Sequence, residues 1–199
     1  MAPVPGILTL LKDIPCWASA VSRFVDVVSM VEVTKPSPFG SGLPRTEVHM
    51  FPNVNIIKQF PDPYEAYVAF GKETTAAARS AGLSTTLCEL VKIRVSQLNG
   101  CAFCLRDHTR AAIAAGETAD RLAVLPAWWE SQYFTEQERA ALTLAEQVTR
   151  IEHQHTSPDP QTDVDGALTP EQIAAVTWLA IEFNGWNRIA VTSHFTVAP

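Results

Sequence analysis

The sequence predicts an all-α fold, and three observations predict it. Helix-start signals recur from Asp62 onward, each followed by apolar residues at helical period. Glycines stand where helices should stop, at Gly82 and Gly100. No run of alternating apolar and polar residues long enough for a strand comes between them.

Residues 1–50 read as an N-terminal extension, and residues 51–199 as the helical domain. The extension holds six of the fourteen prolines and has balanced charge, so the net charge of −6 lies after residue 50. Val21, Phe24, Val25, Val28 and Val31 predict one amphipathic helix around 15–33, followed by a Pro-, Ser- and Gly-rich linker over 34–45. Met50 stands just before the regular part, which leaves two alternatives: a native extension, or a true start at Met50.

In the helical domain, Asp62-Pro63-Tyr64-Glu65 supplies an N-cap, a proline at the first helical position and a glutamate at the third, with Gly82 as the stop. Ser84 caps the next helix, which runs through Glu89 and ends at Asn99-Gly100. A third begins near Cys101 and continues through His108 to about Ala115. Thr118 caps a short helix, and Thr135 with Glu138 forms a capping box for one that ends near Glu152. Thr169-Pro170 opens the last, which extends through Arg188. The connection from Glu152 to Leu168 reads as a solvated loop. Its His153 and His155 receive no role, because a metal site needs more ligands than two.

Composition narrows the function. An apolar fraction of 47% with 18% charged residues is enough to build a core and argues against disorder. The negative charge argues against nucleic acid or an anionic membrane surface as the main partner. Four cysteines, two of them isolated, are too few for a secreted disulfide framework, and a reducing cytoplasm fits best. The apolar run Ile7–Leu11 lacks a preceding basic residue and is cut by Lys12 and Asp13, so neither a signal peptide nor a membrane span is expected.

The chemistry concentrates between Glu89 and His108. Cys101-Ala102-Phe103-Cys104 is a Cys-x-x-Cys pair that can cycle between dithiol and disulfide. At 100° per residue, Cys101, Cys104 and His108 fall within about 60° of one helix face. His108 stands one turn after Cys104, close enough to take a proton from its thiol. Asn99-Gly100 puts the pair in the first turn, where unpaired N–H groups and the helix dipole favour thiolate. Glu89, on the preceding helix, can fold back to orient His108 and accept its proton. Taken alone, it would read as an exposed charge beside Lys92.

This arrangement, Glu89 followed by Cys101, Cys104 and His108, resembles the signature of the carboxymuconolactone decarboxylase-like superfamily in its alkylhydroperoxidase, AhpD-like branch. The wording of Val91–Arg94 through Asn99–Cys104 is similar, as is Asn184-Gly185-Trp186-Asn187-Arg188-Ile189-Ala190. The resemblance covers about residues 51–195 and implies an AhpD-like helical bundle assembled into trimers or hexamers. It implies peroxidase activity: Cys104 attacks the hydroperoxide, Cys101 resolves the sulfenic acid as a disulfide, and Glu89 with His108 relays protons. A lipoyl-bearing or thioredoxin-like dithiol protein would be the reductant, and no cofactor is implied. One departure stands out. The AhpD pattern has a second histidine just before the peroxidatic cysteine, where this chain has Phe103. Lactone-decarboxylating members lack the cysteine pair, which argues against that reaction.

Other readings stay open at this point. Cys101, Cys104, His108 and Glu89 could supply four ligands to a structural zinc. The pair could instead sense oxidation in a helical oligomer or serve general dithiol exchange. Attached haem is disfavoured because Leu105 follows Cys104, and a thioredoxin-like fold because strands are lacking. The aromatic residues Trp128, Trp129, Tyr133, Phe134, Trp178 and Trp186 read as core or interface. Cys88 reads as a small buried apolar residue and Arg188 as a cap or the partner of a buried carboxylate.

Overall fold

The computed structural model describes residues 52, 54–153 and 164–198, apart from the side chains of His153 and Asp165. The expected helix over 15–33, the linker over 34–45, Met50 and His155 lie outside the described residues. Within them the chain is helical throughout, without a strand. The main helices are α1 (Ile56–Gln59), α2 (Pro61–Ser80), α3 (Thr85–Asn99), α4 (Ala102–Ala114), α5 (Ala119–Val124), α6 (Glu136–Thr149), α7 (Val164–Ala167) and α8 (Pro170–Thr192). Short 3₁₀ stretches follow α5 at Leu125–Glu130 and α6 at Ile151–His153. No helix among the described residues is long and apolar enough to cross a membrane.

The caps explain most of these boundaries. Side-chain oxygens of Ser84, Thr118, Thr135 and Thr169 each accept from a backbone N–H of the first turn, with full capping boxes at Thr135/Glu138 and Thr169/Gln172. One start differs from expectation. Helix α2 begins at Pro61 rather than after Asp62, with Phe60 as an N-cap that has no side-chain bond. Asp62 therefore sits inside the first turn, where its charge still meets the positive helix end. Two short helices lay outside the sequence reading: α1, capped by Asn55, and α7, in the connection read as loop.

Among the described residues, helix α3 is the centre of the packing. It packs against α4, α6 and α8, while α8 also packs against α2 and α6. Every residue from Glu89 to Ser96 is buried, which no single apolar face could achieve. Leu90 and Ile93 join Ala112, Leu125, Trp128, Phe134 and Leu142 in one core cluster. The aromatic residues divide between inside and outside: Trp128 and Phe134 are buried, whereas Trp129, Tyr133 and Trp178 are exposed. Three charged side chains of α3, Glu89, Lys92 and Arg94, are taken inside with the apolar ones. Buried charge requires partners, and those partners define the site.

Candidate active site

Gly100 ends α3 in the left-handed conformation, φ +67°, and turns the chain directly into α4. Cys101 is the N-cap of α4, with its sulfur accepting from the Cys104 backbone N–H at 3.3 Å. The two cysteines are joined as a disulfide with Cα atoms 5.4 Å apart, and both are buried. The turn is held from the far end of the sequence. Asn99 Nδ2 donates to Asn184 Oδ1 at 3.0 Å and to Asn187 Oδ1 at 2.9 Å. Asn187 in turn donates to Ser96 Oγ at 3.0 Å, and Asn184 to Thr149 Oγ1 at 3.0 Å. The late Asn-Gly-Trp-Asn motif thereby fixes the segment that delivers Cys101.

The same turn brings Glu89 and His108 together. Glu89 is 4% exposed, so the reading of it as a surface charge does not hold. Its Oε2 lies 2.6 Å from His108 Nδ1, and its Oε1 accepts from Lys92 Nζ at 2.7 Å. The His108 ring stands edge-on to Phe183 with centroids 4.5 Å apart, which limits its rotation. Burial alone would raise the Glu89 carboxyl, but Lys92 and His108 outweigh it and bring it down to about 2. Burial opposes the charge on Lys92 as well, and Glu89 more than offsets it, so the ammonium is held above its ordinary range.

Glu89 is thus held as a carboxylate against the imidazole, in position to orient His108. It receives the His108 Nδ1 proton as a hydrogen bond and leaves Nε2 as the nitrogen able to take one. His108 remains one turn beyond Cys104 on α4.

Phe103, in the place of the second histidine, is buried and meets Phe195 edge-on at 5.3 Å. The Arg106 guanidinium lies 5.7 Å from its ring. An aromatic side chain so used serves packing and cannot carry a proton. Among the described residues, no group of three or more His, Cys, Asp or Glu is arranged to hold a metal. Cys88 is half-buried and unbonded to another cysteine, and burial pushes its thiol up. Arg188 is exposed and donates to the Asn184 carbonyl at 2.8 Å, not to a buried carboxylate.

Sequence reading gave no role to Lys92, Phe183, Asn187 or Glu182. Glu182 carried a signal, as an acidic residue inside the apolar run Trp178–Phe183. It is 5% exposed, and Trp186 Nε1 donates to its Oε1. Burial pushes its carboxyl up to about 7, against the opposing pull of Lys92 and of the Trp186 hydrogen bond.

Comparison with known proteins places this geometry in context. The carboxymuconolactone decarboxylase family pattern matches residues 61–147, which include Glu89, Cys101, Cys104 and His108. The uncharacterized protein YdfG of Bacillus subtilis is 37% identical over 113 residues, spanning 57% of this chain and 77% of its own length. A crystal structure from Agrobacterium tumefaciens, of a protein of unknown function suggested to be an antioxidant defence protein AhpD, superposes with a TM-score of 0.65. It is 31% identical, over 74% of this chain and 98% of its own. The helical bundle, the Cys-x-x-Cys turn and these relatives agree, and the chain belongs to the carboxymuconolactone decarboxylase family, in its AhpD-like branch.

Proposed function

We propose that the protein is a thiol-dependent peroxidase that reduces alkyl or other organic hydroperoxides through the dithiol/disulfide cycle of Cys101 and Cys104. One observation carries the reading: a buried Cys-x-x-Cys disulfide at the start of α4, one turn ahead of a histidine that a buried glutamate orients at 2.6 Å. The suggested antioxidant role of the Agrobacterium protein supports it.

In the reduced enzyme, His108 Nε2 takes the Cys104 proton and the thiolate attacks the hydroperoxide. The O–O bond breaks, Cys104 becomes a sulfenic acid, and the proton on His108 passes to the departing alkoxide to give the alcohol. The Cys101 thiol then attacks the sulfenic sulfur, releasing water and forming the disulfide. A dithiol protein, lipoyl-bearing or thioredoxin-like, supplies two electrons and two protons to restore the thiols. The working form is a homo-oligomer, a trimer or hexamer, in the reducing cytoplasm.

Stopped-flow mixing of the dithiothreitol-reduced protein with cumene hydroperoxide tests this. Wild type oxidises rapidly, Cys104→Ser does not, and Cys101→Ser halts at the sulfenic acid. Equal rates for Cys104→Ser and wild type would remove the peroxidatic assignment. Phe103 favours a second reading, a dithiol oxidoreductase or oxidation sensor without strong turnover, because the relay lacks one proton carrier. Single oxidation that no dithiol donor reverses would select it.

A further inference from the structure

We propose that Glu182 is a positioning residue of this site: it shares Lys92 with Glu89, and its protonation decides how firmly Lys92 holds Glu89 against His108. The inference rests on the dithiol reading for its purpose, though not for its test.

The geometry is that of two carboxylates and one ammonium enclosed together. Glu89 and Lys92 come from α3 and Glu182 from α8, which packs against it, with all three buried. Lys92 and Glu182 interact electrostatically, as do Glu89 and Glu182. Phe183, the residue after Glu182, carries the His108 ring on its face and lies 5.7 Å from Lys92 Nζ. Glu182 is seated as deliberately as the cysteines. Gly71 of α2 leaves room for it, since a Cβ there would stand 2.9 Å from Oε1. Tyr67 fixes its backbone by donating to the Glu182 carbonyl at 2.6 Å.

The groups that face it from each packed element are few. Helix α3 presents Glu89 and Lys92, with Cys88 beside them, α2 presents Tyr67, and α4 presents His108 across Phe183. Tyr64 of α2 touches Trp186 edge-on. On α8 itself Arg188 points outward to Asn184, and Glu146 of α6 is committed to Arg94.

Protonated, Glu182 is neutral, and the single cation belongs to Glu89. Ionised, it competes for the same ammonium and leaves the cluster one negative charge in excess. In a dry site that competition is not screened. Its effect reaches His108 through Glu89 Oε2, without contact between Glu182 and the reacting sulfurs.

The test reads the low-field Nδ1 proton of His108 by NMR in the reduced protein, assigned by its loss in His108→Gln. In wild type its shift against pH shows an inflection near 7, where Glu182 titrates. In Glu182→Gln that inflection is lost. In Trp186→Phe, which keeps the carboxyl but removes its donor, it moves upward by about one pH unit. A signal whose titration is the same in wild type and Trp186→Phe overturns the proposal, even should Glu182→Gln fail to fold. No peroxide is used, so loss of hydroperoxide turnover would strike the proposed function and leave this coupling standing. Turnover with an unmoved inflection would do the reverse.

Discussion

Helix α3 buries two charged clusters, and they are built to different ends. Arg94 lies two residues after Lys92, about 200° around the helix. Its Nε donates to Glu146 Oε1 at 2.7 Å, and its Nη1 to Gln97 Oε1 at 3.0 Å and the Pro126 carbonyl at 3.3 Å. Glu146 Oε1 also accepts from Trp128 Nε1 at 2.7 Å. One cation meets one anion there, and apart from the Gln97 bond within α3 the contacts join α3, α6 and the 3₁₀ stretch to one another. The Glu89 cluster has two carboxylates for one ammonium and ends on a histidine beside the cysteines. The Arg94 cluster closes on itself, whereas the Glu89 cluster is left open toward chemistry.

The largest effect should separate the two. Glu146→Ala leaves Arg94 buried without its anion and is expected to cost about 3–5 kcal/mol, nearer the low end because Glu146 is partly exposed. The double change Arg94→Met with Glu146→Leu removes both charges for apolar groups and should recover most of that loss. Urea unfolding followed by tryptophan fluorescence reads both, and hydroperoxide reduction should survive in the double variant. If activity falls with the Arg94 pair while stability is recovered, the two clusters are not distinct in purpose.

Next in size is Glu89→Gln. The Glu89 carboxyl, at about 2 in the folded chain against an ordinary 4.5, binds fewer protons folded than unfolded between those values. Its stabilisation, about 3 kcal/mol, is therefore complete above pH 4.5 and is lost as pH falls toward 2. Urea midpoints of wild type and Glu89→Gln should differ at pH 7 and converge near pH 2. Unlike the Arg94 double variant, Glu89→Gln should also slow Cys104 oxidation by about tenfold to a hundredfold, because His108 loses its orienting anion.

These clusters also show what the sequence could and could not disclose. Ser84, Thr118, Thr135 and Thr169 were legible as caps because capping is settled within four residues. The approach of Glu89 to His108 was legible because a tight Asn-Gly turn leaves two helices little choice but to lie side by side. The start of α2 was ambiguous for a local reason: Pro61 and Pro63 both suit a first turn, and the structure uses the earlier one. Glu182 was not legible as a partner of Lys92, because the α3–α8 packing that joins them spans some ninety residues. Arg94 and Glu146 were hidden in the same way. Spacing carries information about neighbours in the chain, while a buried charge is explained only by neighbours in space.

The smallest effect tests whether the end of α3 matters to the open cluster as more than a stop. Gly82 and Gly100 both take positive φ, +75° and +67°, and a Cβ at either would meet nothing within 4 Å. Alanine at each should therefore cost about the same, roughly 1–2 kcal/mol of left-handed strain, and nothing for contacts. Their surroundings differ: Gly82 follows α2, whereas Gly100 lies between Asn99, clamped by Asn184 and Asn187, and Cys101. Relief of strain at residue 100 must shift that clamp or the cysteine N-cap, so Gly100→Ala should change the rate at which dithiothreitol reduces the Cys101–Cys104 bond. Gly82→Ala, equally destabilised, should leave that rate at the wild-type value. Equal reduction rates in both variants would mean that the clamp, and not the glycine, sets the cysteine geometry.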